Sequence, residues 1–126
     1  MMSEMGSFSV PVEVGDAAGS RFESIFALVD TGAAYTWIPE DILARLQARP
    51  TEERIFGLAD GREVTYGLAW LTIRIEGKLQ PTPIFFGDAG TDPLLGFVTL
   101  EEFGLAIDPL DQRLIPVPAL LKDFRG

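Results

Sequence analysis

Cysteine and histidine are both missing from the 126 residues of this chain. Without cysteine there is no disulfide and no thiolate nucleophile. Without histidine, serine–histidine hydrolysis and the usual zinc sites are excluded as well. Basic residues are scarce: ten Lys and Arg stand against nineteen Asp and Glu, a net charge of −9. Nucleic-acid binders need a basic surface to displace counterions, so no nucleic-acid partner is expected. No apolar run approaches the roughly 18 residues of a membrane span, so no membrane association is expected either. The opening MMSEMGSFSV lacks the basic start and apolar stretch of a secretory signal, which points to a cytoplasmic location. Carboxylates are what remain for acid–base chemistry.

Hydrophobic residues make up 47% of the chain, enough for a folded core. The length suits a single domain spanning 1–126, with its core at about 8–116. Residues 8–14, FSVPVEV, alternate and read as a strand, with Pro11 marking an edge or a bulge. Residues 21–29 read as a second strand whose five final apolar residues suggest burial on both faces. IPEDILARL, 38–46, reads as a short helix with proline and two acids in its first turn. Asp60-Gly61 between 54–59 and 62–67 predicts a hairpin whose two central residues both take positive φ. Strands follow at 68–75 and 78–87, the latter interrupted by Pro81 and Pro83, with a turn at Glu76-Gly77 between them. In 92–105, Thr99 and Glu102 have the spacing of a capping box, and Gly104 is placed to end the helix. The segment 105–118 reads as two short strands joined at Asp108 to Asp111. The expectation is a mostly β domain with one or two short helices.

The stretch FALVDTGAAYTWIP runs an apolar strand straight into Asp30. One reading makes Asp30-Thr31-Gly32 an ordinary turn, since Asp and Thr side chains bond nearby amides and Gly is permissive. The other makes Asp30 part of a reactive site, because a carboxylate at the end of a buried strand is costly unless something uses or pairs it. Order along the chain bears on the choice. Asp30-Thr31-Gly32-Ala33 closes a strand, an Asp-Gly hairpin follows, and Leu94-Leu95-Gly96 leads into a helix.

That combination resembles the retroviral-type (retropepsin-like) aspartic peptidases, the single-lobed relatives of pepsin, over roughly residues 8–116. The resemblance implies a closed or partly open β-barrel of the single-lobe acid-protease type that works as a homodimer. It implies an aspartic endopeptidase acting on extended polypeptide segments, with no cofactor. Asp30 would be catalytic, meeting its own copy across a two-fold axis and sharing a proton with it. Thr31, Gly32, Ala33, Leu94, Leu95 and Gly96 would support the site. Leu58, Ala59, Asp60, Gly61 and Arg62 would form a flap over the substrate, though an ordinary hairpin tip is the competing reading. Leu28, Ile38, Leu58 and Leu94 are candidate cleft walls or core residues. Trp37, Trp70, Phe85 and Phe86 are expected in core or interface packing.

Two family positions differ. An aspartate usually follows Asp-Thr-Gly-Ala and an arginine usually follows the second glycine, whereas this chain has Ala34 and Phe97. Both charges are gone together, so neither is stranded. Pepsin-like enzymes place Ser or Thr where Ala33 stands, with a hydroxyl that donates to the aspartate. Its loss implies an activity optimum less acidic than pepsin's. Two other readings stand beside the peptidase. One is a weak or inactive dimerisation or peptide-binding module of the same fold, and the other is a monomeric β-barrel binding module in which Asp30 only turns the chain.

Overall fold

The computed structural model describes residues 8–117. Its strands are β1 (Phe8–Gly15), β2 (Phe22–Val29), β3 (Thr36–Pro39), β4 (Glu52–Gly57), β5 (Glu63–Ile75), β6 (Lys78–Gly87), β7 (Leu94–Leu95), β8 (Leu105–Asp108) and β9 (Arg113–Pro116). Two short helices, α1 (Glu40–Arg45) and α2 (Phe97–Glu102), interrupt them. Seven strands form one sheet in the order β1-β2-β7-β3-β6-β5-β4, and a further pairing of β1 with β5 curls it into a nearly closed barrel. The strands β8 and β9 form a separate antiparallel pair.

Turn chemistry sets much of this. The β5–β6 turn is Glu76-Gly77, with φ of 51° and 83°. This is the mirror-image two-residue turn whose twist suits a hairpin. The Asp60-Gly61 turn differs from expectation. Of those two residues only Gly61 has positive φ, at 90°. The Gly61 N–H bonds the Leu58 carbonyl at 3.0 Å and the Leu58 N–H bonds the Arg62 carbonyl at 2.7 Å. The hairpin therefore closes through a longer loop, with glycine alone in the left-handed region. Beyond it, 63–75 is one continuous strand of 13 residues. Nor do the prolines interrupt β6, which runs through both. β3 reaches β6 only from Ile84, leaving an edge beside Pro81 and Pro83 where a missing N–H costs nothing.

Other expectations need correcting. Ile38 and Pro39 belong to β3, and α1 begins at Glu40 with Pro39 as its cap residue. The two acids, Glu40 and Asp41, do occupy the first turn. β2 buries Ala27 and Val29, but Phe26 is 69% exposed, because no layer among the described residues covers that face. Thr99 is buried inside α2, whose cap residue is Gly96, so Thr99 and Glu102 make no capping box. Gly104 follows the helix at φ 65°, as the sequence predicts.

Two apolar clusters fill the barrel. One joins Val12, Ala27, Val29, Ile73, Ile75 and Leu95 to residues of α2, β8 and β9. The other joins Val14, Ile38, Ala69, Leu71 and Ile84 to Leu43 and Leu46 at α1. Ile38 is fully buried, which makes it core and not a cleft wall. On the far side of β6, Phe85 is fully buried. It stacks on Trp37 at 4.7 Å and meets Phe56 and Tyr35 at 5.3 and 5.2 Å. Phe86 is partly buried against the second cluster. Trp70 is not in the core: it is 52% exposed on the outer face of β5. Because Phe85 joins the barrel wall to the base of the β4–β5 hairpin, Phe85→Ala is expected to cost about 3–5 kcal/mol in urea unfolding. A loss below about 1 kcal/mol would mean that the aromatic cluster contributes little.

Candidate active site

Strand β7 inserts between β2 and β3, parallel to the first and antiparallel to the second. Leu28 pairs with Leu94 and Val29 with Leu95. Parallel neighbours leave the sheet at the same end, so Asp30 and Gly96 emerge side by side. The Asp30 N–H donates to the Leu95 carbonyl at 3.1 Å, extending the ladder one residue past each strand. Two motifs 64 positions apart in the chain are thus brought together by one short strand.

The loop between Asp30 and β3 is tied down along its length. The Ala33 N–H bonds the Asp30 carbonyl at 3.1 Å, and the Gly32 N–H donates to Asp30 Oδ1 at 2.9 Å. A helix leaves its first amides unpaired unless something caps them. Here the loop does so: the Phe97 and Val98 N–H groups bond the carbonyls of Ala33 and Ala34 at 2.9 and 2.8 Å. The Gly96 N–H donates to Thr36 Oγ1 at 3.0 Å. Asp30 is half-buried, whereas Thr31, Gly32 and Ala34 are exposed and Leu95 and Gly96 are buried. Leu28 and Leu94 are half-buried and adjacent. The residue type at 96 follows from close approach. A Cβ there would lie 2.3 Å from the Tyr35 carbonyl oxygen, a distance no side chain tolerates.

The hairpin tip stands apart from this loop. Leu58, Ala59, Asp60, Gly61 and Arg62 are all exposed. Among the described residues no hydrogen bond joins them to the segment 30–34. The tip is ordered internally, with Asp60 Oδ1 accepting from the Arg62 N–H at 3.0 Å and Oδ2 from Arg62 Nε at 2.6 Å. These bonds hold the Asp60 carboxyl below its ordinary value, the backbone amide having the larger effect. The hairpin stem reaches the site region through Phe56 and Tyr66, which pack on Trp37 at 5.7 and 4.9 Å. Beside the loop lies a cavity of about 260 Å³ walled by Tyr35, Arg54, Trp70, Phe85, Val98 and Glu102. Asp30 is not among its walls.

Sequence reasoning missed a group of polar residues behind the loop. Thr36, Thr82 and Thr99 are completely buried and hydrogen-bonded to one another. Isolated threonines on three separate elements carry no periodic signal, and the one local cue, Thr99 with Glu102, reads as a cap. Among the described residues no three acidic side chains gather as a metal site. No helix there is long and apolar enough to cross a membrane.

A family model described as aspartyl protease matches residues 10–98, from β1 to the second residue of α2. The chain belongs to this aspartyl protease family. The matched segment contains Asp30, the hairpin and Leu94-Leu95-Gly96. Among solved structures, the solution structure of the Simian Foamy Virus (mac) protease is similar with a TM-score of 0.58 and 20% identity. That similarity covers 76% of this chain and 94% of the viral one. The fold is therefore that of a retroviral-type protease. No curated protein matches the sequence.

Gly96→Ala is expected to lower stability by about 1–3 kcal/mol or more, because the β3 entry has no room to give. Gly57→Ala is the control, since a Cβ at Gly57 meets nothing within 4 Å. Thermal unfolding of the two variants checks the contrast, and equal melting temperatures would contradict it.

Proposed function

We propose that this chain is an aspartic endopeptidase whose active form is a homodimer with one Asp30 from each copy. A single chain supplies one Asp-Thr-Gly, and hydrolysis by this route needs two carboxylates facing one water. At about 3 Å separation the pair cannot ionise twice and holds one proton. The ionised member takes a proton from the water as it attacks the peptide carbonyl. The protonated member donates to the developing oxyanion, and a proton then passes to the leaving nitrogen, with no covalent intermediate.

The observation that carries this reading is the fixed Asp30 loop. Half-buried Asp30, with its backbone N–H bonded to the Leu95 carbonyl and its carboxylate accepting from the Gly32 amide, lies at the end of a paired strand. An ordinary turn residue has no need of an inserted strand and a helix start to hold it. Thr31 is exposed next to Asp30, and in this reading its hydroxyl bonds across the axis to the second copy's backbone. Ala33 and the neighbouring Leu94 and Leu95 shape the floor. The exposed tip Leu58–Arg62 closes over an extended substrate and offers backbone hydrogen bonds to it, while Leu28 and Leu94 take apolar side chains.

Incubation with a denatured-protein or peptide library tests the proposal. The wild-type chain sediments as a dimer and cleaves next to apolar residues. Asp30→Asn, which keeps the shape and removes the ionisable group, keeps the dimer and loses activity by about a thousandfold or more. Cleavage that survives the substitution, or an active species with the mass of a monomer, would contradict the proposal. A dimer that binds peptides without cutting them would instead identify a peptide-binding module.

A further inference from the structure

The buried threonines form a chain with a direction. The Gly96 N–H donates to Thr36 Oγ1 at 3.0 Å, Thr36 Oγ1 lies 2.7 Å from Thr99 Oγ1, and Thr99 Oγ1 lies 2.8 Å from Thr82 Oγ1. Thr82 Oγ1 in turn donates to Glu102 Oε1 at 2.7 Å. Each hydroxyl owns one proton, and an ionised carboxylate only accepts. With the Thr82 proton committed to Glu102, Thr99 must donate to Thr82, and Thr36 must donate to Thr99. The lone pairs of Thr36 are then turned toward the Gly96 amide. Four hydrogen bonds therefore run one way, from the Gly96 backbone to a carboxylate in the wall of the neighbouring cavity. All three hydroxyls are completely buried, and among the described residues no buried side-chain polar atom is left without a partner.

The chain spans the elements that hold the site. Thr36 opens β3, Thr82 lies in β6, and Thr99 and Glu102 belong to α2. Glu102 is itself fixed from a second side, because Gln80 Nε2 donates to its backbone carbonyl at 2.6 Å. At the other end, Gly96 sits between the two attachments of the Asp30 loop. The Leu95 carbonyl receives the Asp30 N–H, and the Phe97 N–H bonds the Ala33 carbonyl. A hydrogen-bonded series of this kind is cooperative, and its worth lies in selecting one arrangement of its members. Local packing alone calls for apolar residues at these buried positions, not three hydroxyls directed at a carboxylate.

We propose that Glu102, Thr82, Thr99 and Thr36 are positioning residues for the Asp30 carboxylate, with Glu102 setting the direction of the chain and Gly96 delivering it to the loop. The inference rests on the peptidase reading above. Thr99 and Glu102 lie beyond the segment that the family model matches, so they are features of this chain that the match itself does not assign. Their effect is on orientation and not on substrate affinity, since none of them is among the residues proposed to contact the substrate.

The experiment compares Thr99→Val with Thr99→Ser, and Glu102→Ala with Glu102→Gln, in the full chain. Val keeps the shape of Thr and removes the hydroxyl, whereas Ser keeps the hydroxyl. Ala removes the terminal acceptor, whereas the Gln carbonyl oxygen retains it. Two readouts are taken: hydrogen exchange at the Gly96 amide, and kcat and KM on a peptide identified from the library. Thr99→Val and Glu102→Ala are expected to speed Gly96 exchange and to lower kcat by about tenfold to a hundredfold, leaving KM within about twofold. Thr99→Ser and Glu102→Gln recover most of both losses. Unchanged Gly96 exchange in Thr99→Val and Glu102→Ala would overturn the proposal. So would a kcat that Ser and Gln fail to recover, or a loss carried by KM. Should the wild-type chain cleave nothing, the peptidase reading fails, and the exchange data alone then decide whether the chain of hydroxyls orders Gly96.

Discussion

The parallel pairing of β2 with β7 brings Val29 alongside Leu95, and the Asp30 N–H closes onto the Leu95 carbonyl at 3.1 Å. Everything else in the site depends on this pairing. A strand of two residues gains little from its own ladder, so β7 holds its place because both neighbours need it. β2 lies on one side and β3 on the other, and Leu95 is fully buried in the first apolar cluster. Burial of Leu95 fixes the register, and register fixes which residue lies beside Gly96. A slip of β7 by one position would turn Leu95 away from the core, and a slip of β2 would draw Asp30 into it.

The same constraint explains the residues around it. Gly96 tolerates no side chain because the β3 entry crosses directly against it. α2 starts without a side-chain cap because the carbonyls of Ala33 and Ala34 satisfy its first amides. Related retroviral-type enzymes are expected to place a charged pair at the positions of Ala34 and Phe97. In this chain backbone bonds tie the loop to β7 and α2, and Thr36, where the loop enters β3, accepts from the Gly96 amide. Phe97 is left 45% exposed next to the loop.

Local signals in the sequence carried the strand that ends at Asp30, the hairpin at Asp60-Gly61 and the helix end at Gly104. Each depends on chemistry confined to a few adjacent residues. The motif Leu94-Leu95-Gly96 was visible, but not that its two leucines form a strand. Strand β7 exists only because distant β2 and β3 flank it, and no window of sequence contains that fact. Phe26 and Trp70 show the converse limit. Apolar character suggested burial, yet both lie on outer faces for which the described chain has no covering layer. The spacing of Thr99 and Glu102 suggested a cap, while their actual partner, Thr82, lies 17 residues before Thr99. Long-range polar pairing of this kind leaves no periodicity to detect.

The central claim is that one catalytic site requires Asp30 from two chains. Mixing tests it most directly: wild-type and Asp30→Asn chains are combined in equal amounts, allowed to exchange subunits, and assayed at constant total protein. A site shared across a two-fold axis predicts about a quarter of the wild-type activity, because only wild-type pairs carry both carboxylates. Activity at about half of wild type would mean that each chain works alone, and the account would be wrong.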